Sequence, residues 1–260
     1  MITVQQIIDK LMEPVGVLKG TTDRLIAGSA SKRVSRIAVT FSSSYASIRA
    51  AVEGKVDLLI THEPTFYSHQ DETDWLEGDE GFEKKRQLIQ ASGLAIYRFH
   101  DYWHRYEPDG ILSGLLGAIG WERHARAQAL YVLDFPPTTV RRIAEDLKGK
   151  LGIPAVQLFG NPDQEITVAC LSPGMEGGRR QIEKLMRHKA DLLIVGETHS
   201  WETNEYVQDA VAMGLSKALL ILGHMPSEEA GMQQVVPLLE GLFPELQVSF
   251  ISSTSSSQWL

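Results

Sequence analysis

One arrangement, written twice, narrows this chain to very few architectures. A short apolar run is followed by a helix-length stretch, a second run, a second helix and a third run. In the first copy the runs are 36–41, 56–60 and 94–99, and the helical stretches close at Gly54 and Gly93. In the second copy they are 166–171, 191–195 and 218–222, and the second helix closes at Gly214. Glycine just past the last helical residue is the expected stop, because it takes the left-handed conformation of a helix end without a Cβ penalty. Apolar runs this short, flanked by helices, suit strands buried on both faces of a parallel sheet. The string Asp-Leu-Leu-Ile recurs at 57–60 and 191–194, and Gly-Leu follows the second helix of each copy, at 93–94 and 214–215. The fold predicted is α/β, two similar lobes built from repeated strand–helix units with largely parallel sheets.

The remaining segments attach to these lobes. Thr3 and Gln6 form a capping box for a helix that repeats Val4, Ile7, Ile8 and Leu11, and Pro14 ends it. Residues 16–33 read as loop or edge strand. Between the copies, 129–133 reads as a strand and about 138–151 as a helix with Val140, Ile143, Leu147 and Leu151 on one face. A helix over about 227–240 and a strand near 248–251 follow, and a loose Ser/Thr-rich tail starts at Ser252. The expected division is 1–125 plus 225–260 for the first lobe and 126–224 for the second.

Composition excludes several classes. With 43% apolar and 22% charged residues in a chain of 260, global disorder, collagen and coiled coil are ruled out. No apolar run approaches about 18 residues, so no membrane span is expected. The start lacks a basic segment followed by a solid apolar one, so no secretory leader is expected. Cys170 is the single cysteine, which excludes an intrachain disulfide framework and fits a reducing compartment. A cytoplasmic location follows as the expectation. Net charge is −8, from 25 basic and 33 acidic residues, which disfavours an extended nucleic-acid surface.

In open α/β sheets ligands bind beyond the carboxyl ends of the parallel strands. There the first copy carries His62, Glu63, His100, Asp101 and His104, and the second carries Glu197, His199, His224 and Glu228. Any one of these taken alone is more readily a surface or core residue, but together they argue for a metal site. Imidazole nitrogen with carboxylate oxygen suits Zn, Mn, Fe or Co, and a bridging carboxylate can hold two ions. His224-x-x-x-Glu228 is the best single element: the histidine ends a strand, Pro226-Ser227 opens a helix, and Glu228 in its first turn can reach back. The turn from Gly174 to Gly178 lies between a strand and a helix, so Gly174, Gly177 and Gly178 could present backbone N–H groups to a phosphate, with Arg179 and Arg180 next in line. It matches neither a Walker loop nor a dinucleotide fingerprint, and ordinary turn chemistry is the simpler account. Cys170 lies inside a strand and reads as a small apolar residue. Trp103 and Trp201 flank the strand ends, to line a pocket or cover the core. His69, His124 and His188 read as surface residues.

At these residues the chain resembles the Nif-three-like proteins, also known as GTP cyclohydrolase 1 type 2 homologues, over nearly its whole length. The family's strand ending in His-His-Pro is matched by His62-Glu63-Pro64, and its His-Thr-x-x-Asp by His100-Asp101-Tyr102-Trp103-His104. Its Thr-Gly-Glu/Asp step is matched by Val195-Gly196-Glu197. Its Gly-His-x-x-x-Glu, the most specific of the four, is matched by Gly223-His224-Met225-Pro226-Ser227-Glu228. The resemblance implies a dinuclear metal centre in a cleft between two α/β lobes and a ring-shaped hexamer. His62, His224 and Glu228 carry over unchanged as ligands. Glu63 and His104 depart from the family pattern and exchange nitrogen and oxygen between two positions, while Asp101 could supply the lost carboxylate. Two divalent transition-metal ions, Zn, Mn, Fe or Co, are the cofactors implied.

Two functions stay open at this point. One is a metal-dependent hydrolase of a nucleotide or another phosphorylated small molecule, with Glu197 or Asp101 as general base. The other is a metal-binding regulatory or scaffold protein with little turnover, consistent with the lack of a recognisable nucleophile motif.

Overall fold

The computed structural model describes residues 1–253. In chain order the elements are α1 (Val4–Met12), β1 (Arg24–Ala27), β2 (Arg36–Thr40), α2 (Tyr45–Glu53), β3 (Leu58–Thr61), α3 (Glu80–Ser92), β4 (Ala95–Arg98) and α4 (Asp101–His104). There follow α5 (Gly110–Ile119), β5 (Ala125–Arg126), β6 (Ala129–Thr139), α6 (Val140–Leu151), β7 (Gln157–Phe159), β8 (Glu165–Ser172), α7 (Gly178–Arg187), β9 (Leu192–Val195), α8 (Glu205–Ala212) and β10 (Ala218–Ile221). The chain closes with α9 (His224–Gln233), α10 (Val235–Leu242) and β11 (Gln247–Phe250). Met1–Gly110 with the described residues from Gly231 onward form one compact unit, and Ile111–Ala230 form another.

The first unit holds a five-stranded sheet in the order β1-β4-β3-β2-β11. β4, β3, β2 and β11 are parallel, and β1 pairs antiparallel with β4 at the edge. Every residue of β3 and of β4 is buried, including the polar Thr61 and Arg98 at their carboxyl ends. On one face Ile48 and Ala51 of α2 and Ile89 of α3 pack against Ala38, Leu59 and Ile96. The capping box at Thr3 and Gln6 is formed, and α1 buries Val4, Ile7, Ile8 and Leu11. Ser253, in the segment read as a loose tail, bonds through its hydroxyl to Thr40 Oγ1 and to the Ser42 amide. The rest of that segment, 254–260, lies outside the described residues.

The second unit holds a six-stranded sheet in the order β5-β6-β8-β9-β10-β7. Its centre, β8-β9-β10, is parallel, whereas β5, β6 and β7 are antiparallel additions, so this sheet is mixed rather than largely parallel. β6 runs well past the expected 129–133. It carries Pro136 and Pro137 through a stretch where its pairing with β8 is irregular, between Asp134 and Thr138. Proline has no amide hydrogen to donate, so an interrupted ladder is where it fits in a strand. α5 is a helix that the pattern did not reveal. Leu112, Leu115, Leu116 and Ile119 enter the core of this unit, but the segment is apolar on nearly all sides and shows no amphipathic period. Among the described residues no helix is long and apolar enough to cross a membrane.

The Asp-Leu-Leu-Ile repeat has one physical cause in both units. Asp57 Oδ2 accepts the amides of Ser35 and Arg36 at 2.9 and 3.0 Å. Asp191 Oδ2 accepts the amides of Thr167 and Val168 at the same 2.9 and 3.0 Å. The carbonyls of the two aspartates then accept Ala95 N and Ala218 N, the first amides of the third strands. Each carboxylate thus ties the amino ends of two neighbouring parallel strands together and sets their register. Replacing Asp57 or Asp191 by alanine leaves two strand-end amides without this acceptor. Each change should lower the free energy of unfolding by about 2 kcal/mol, read as a shifted midpoint in urea at unchanged slope.

Candidate metal centre

In the first unit the chain reverses direction just beyond β3 and β4, and the carboxyl ends of these strands collect three imidazoles. His62 follows β3, His100 follows β4, and His104 ends α4. One ligand atom from each lies within 4.8 Å of the others. The His62 and His100 rings stack at 4.4 Å, and each lies 5.1 Å from the His104 ring. In all three, Nδ1 faces an oxygen: Phe99 O at 3.1 Å for His62, Asp101 Oδ1 at 2.8 Å for His100, and Asp109 Oδ2 at 3.1 Å for His104. A carbonyl can only accept, and an ionised carboxylate can only accept, so each Nδ1 donates its hydrogen. That leaves Nε2 as the acceptor nitrogen of every neutral ring, the tautomer and outer-shell pattern of metal-binding histidines.

The supports of this trio come from segments with no visible motif. Asp23, in the turn before β1, accepts the amides of His100, Asp101 and Tyr102 at 2.7–3.0 Å and so caps α4. Burial raises the pKa of this carboxyl, and the three amides counter that shift. Asp101 is engaged at both oxygens: Oδ1 meets His100, and Oδ2 accepts from Thr21 Oγ1 and from the amide and hydroxyl of Thr22. The hydrogen bond from His100 is the main reason its carboxyl is held well below the usual range. Arg98, 1% exposed, donates to the carbonyls of His62 and His69 and pins the turn that presents His62 and Glu63.

The second unit builds its own group at the carboxyl ends of β8, β9 and β10. His224 opens α9 instead of ending a strand, so His224 and Glu228 lie one turn apart on one helix, with Nε2 3.1 Å from Glu228 Oε2. Nδ1 lies 3.4 Å from Glu197 Oε2. One imidazole is therefore bracketed by two carboxylates, one of them buried, an arrangement that positive charge stabilises, whether a ring proton or a metal ion. Ser227 Oγ donates to the His224 carbonyl and accepts the Gly174 amide, and Gly174 O accepts the Glu197 amide. Gly174 has φ +61°, and a Cβ there would stand 2.0 Å from Glu228 Oε1 and 3.2 Å from His224 Nε2.

The start of the Gly174–Gly178 turn thus lies against the His224–Glu228 pair. The Gly178 amide, at the start of α7, donates to Glu202 Oε2 at 3.0 Å, so a carboxylate of the protein caps that helix start. Arg179 pairs with Glu183. His199 is exposed and stacks on Trp201, itself 73% exposed, at 4.8 Å. Trp103 is buried and donates to the Gly231 carbonyl. Burial pushes the Cys170 thiol up to about 11, as befits an apolar core position. His188 bonds the Tyr131 hydroxyl, His124 bonds Asp134 O, and the His69 ring lies 6.2 Å from His100. His100 stood in the sequence among the strand-end residues, but only its approach to His62 marks it as a donor. Asp109 and Asp23 had no sequence signal.

A two-sheet α/β fold with imidazole and carboxylate donors beyond its parallel strands defines a class, candidate metal-binding proteins of the open-sheet kind. Residues 3–258 match the Duf34/NIF3 (NGG1p interacting factor 3) family, and the chain belongs to it. Among solved structures it is similar to protein ybgI, of unknown function, at TM-score 0.76 and 18% identity, over 98% of this chain and 100% of that one. It is similar to a Bacillus cereus protein related to NIF3, at 0.75 and 12%, over 100% and 99%. It is also similar to reduced HcgD from Methanocaldococcus jannaschii, at 0.66 and 15%, over 96% and 97%. At such identities the likeness is one of fold. No curated protein matches the chain significantly.

Two outcomes follow from this geometry. Gly174→Ala places a methyl group against Glu228 on a backbone that disfavours any side chain, and should cost at least about 2 kcal/mol in denaturant unfolding. The second concerns Lys85 of α3, which is 3% exposed and whose ammonium is pushed down to about 8 by burial. Below pH 8 the folded and unfolded chains both carry this proton and the burial penalty is complete. Between 8 and 10.5 the unfolded chain binds more protons, so stability rises with pH. The advantage of Lys85→Met over wild type should therefore shrink by something on the order of 3 kcal/mol across that window. Parallel unfolding curves at about pH 7 and about pH 10.5 measure it.

Proposed function

We propose that this protein is a divalent-metal-dependent hydrolase acting on a nucleotide or another phosphorylated small molecule. The observation that carries the reading is the trio His62, His100 and His104, each with Nδ1 donating to a carbonyl or carboxylate oxygen. Glu63 adds a carboxylate from the first unit, and His224 and Glu228 are the donors of the second. Imidazole nitrogen with carboxylate oxygen, present in each unit, fits Zn, Mn, Fe or Co, and two ions are part of the proposal. Ions held there supply Lewis-acid activation of water and of a substrate oxygen.

The residues of the chain have separate roles in this reading. Asp109 and Asp101 hold His104 and His100 in the donor tautomer and raise their basicity. Glu197, with half its side chain in solvent and its carboxylate beside His224, is assigned as general base. Asp101 is not given that role, because both its oxygens are already engaged. A homo-oligomer, a hexamer by the family resemblance, is part of the proposal, and light scattering on the purified chain counts the copies.

Elemental mass spectrometry on untagged protein is the test. Wild type should carry about two equivalents of a transition metal. His100→Ala and His224→Ala should each lower that content, and Asp109→Ala should weaken metal affinity by about tenfold or more. Hydrolysis of a nucleotide or phosphoester panel should stop on chelation and return with the native metal. Metal retained without turnover of any panel member would move the protein to the regulatory or scaffold reading. No metal after reconstitution would end both.

A further inference from the structure

A second feature of the first unit lies outside the imidazole trio. A pocket of about 520 Å³ opens beside the start of α2 and the turn after β3. Ser42, Ser44, Glu63, Tyr67 and His69 line it, and so does Lys85 from α3. Phe82, Lys85 and Ile89 are the buried residues of α3, spaced three and four apart. Lysine thus occupies the inward stripe of an amphipathic helix, where the pattern asks for an apolar side chain. Its ammonium has three hydrogens to donate, and one goes to the Thr65 carbonyl. The rings of Phe66 and Tyr67 lie 5.7 and 5.0 Å from Nζ. Among the described residues no carboxylate stands within ion-pair distance of it, and Asp71 acts on it only from further away. A buried cation without a counter-ion is costly, and such groups persist where a ligand supplies the missing charge.

We propose that this pocket binds the oxyanion of a small molecule, a phosphoryl or carboxylate group, with the Lys85 ammonium as counter-charge and the Ser42 and Ser44 hydroxyls as further donors. Glu63 on the wall also lies in the field of the buried Arg98 guanidinium. Lys85 remains mostly charged at neutral pH, its ammonium pushed down by burial to about 8. The site belongs to the first unit alone and goes beyond the metal reading, which can fail without it.

The test uses the full chain after chelator treatment, with inorganic phosphate and malonate as probes in titration calorimetry at about pH 7. At least one probe should bind, and the tighter one identifies the group. Lys85→Met should weaken that binding by about tenfold or more, while its unfolding midpoint stays level or rises and its metal content is unchanged. Equal binding by folded Lys85→Met overturns the proposal, as does the absence of binding of both probes to wild type. Should that variant fail to fold, wild-type Lys85 is acylated with and without the bound probe and read by peptide mass spectrometry. Slower labelling with probe supports the site, and an unchanged rate overturns it.

Discussion

The functional end of each unit depends on the register of three parallel strands, and at the opposite end one aspartate ties them, its carboxylate holding the first strand and its backbone carbonyl the third. Asp57 ties β2 to β3 and β4, and Asp191 ties β8 to β9 and β10. Side chains alternate along a strand, so a slip of one residue would turn each from one face to the other and displace whatever stands at the strand end. His62 and Glu63 lie immediately beyond β3, and Gly196 and Glu197 immediately beyond β9. The two aspartates therefore act on the donor groups from a distance, through strand geometry alone. The repeat of four letters is the trace of this shared clamp, and it explains why an acidic residue opens two otherwise apolar runs.

Beyond the strands the chain must turn polar, and the way it does so differs between the units. In the first, three imidazoles gather, and each receives an oxygen that fixes its tautomer. In the second, a single imidazole stands between two carboxylates. Gathering such groups costs desolvation, which is offset only when every donor and acceptor has a place. The outer groups provide those places. Asp23 caps α4, Thr21 and Thr22 hold Asp101, and Ser227 ties Gly174 to α9. Gly174 matters because nothing larger fits next to Glu228, a steric requirement.

Much of this was legible in the residues. Strand runs, the left-handed helix stop at Gly93, the capping box at Thr3 and the buried Cys170 follow from local rules, since each depends on neighbours a few positions away; α2 ends at Gly54, but there Lys55 and not the glycine takes the positive φ. The segment carrying α5 was not legible, because a helix apolar on nearly all sides has no period to detect. Nor was the antiparallel margin of the second sheet, which depends on partners far apart in the chain. α9 starts at His224, ahead of the expected 227, because Pro226 looks like a helix opening yet is tolerated anywhere in a first turn, where its missing amide hydrogen has no partner to lose.

Sequence by itself determined the α/β class, the doubled unit and the gathering of histidines and acids at strand ends, because periodicity and local order carry those properties, and its motifs carried the family resemblance. Tertiary structure alone decided which oxygen orients each imidazole, that His100 stands with His62 and His104, and that Asp101 hydrogen-bonds His100, Thr21 and Thr22. It also decided that Lys85 is a buried cation beside a pocket. These are pairings between residues tens of positions apart, and such contacts exist only once the chain has paid the entropy of bringing them together.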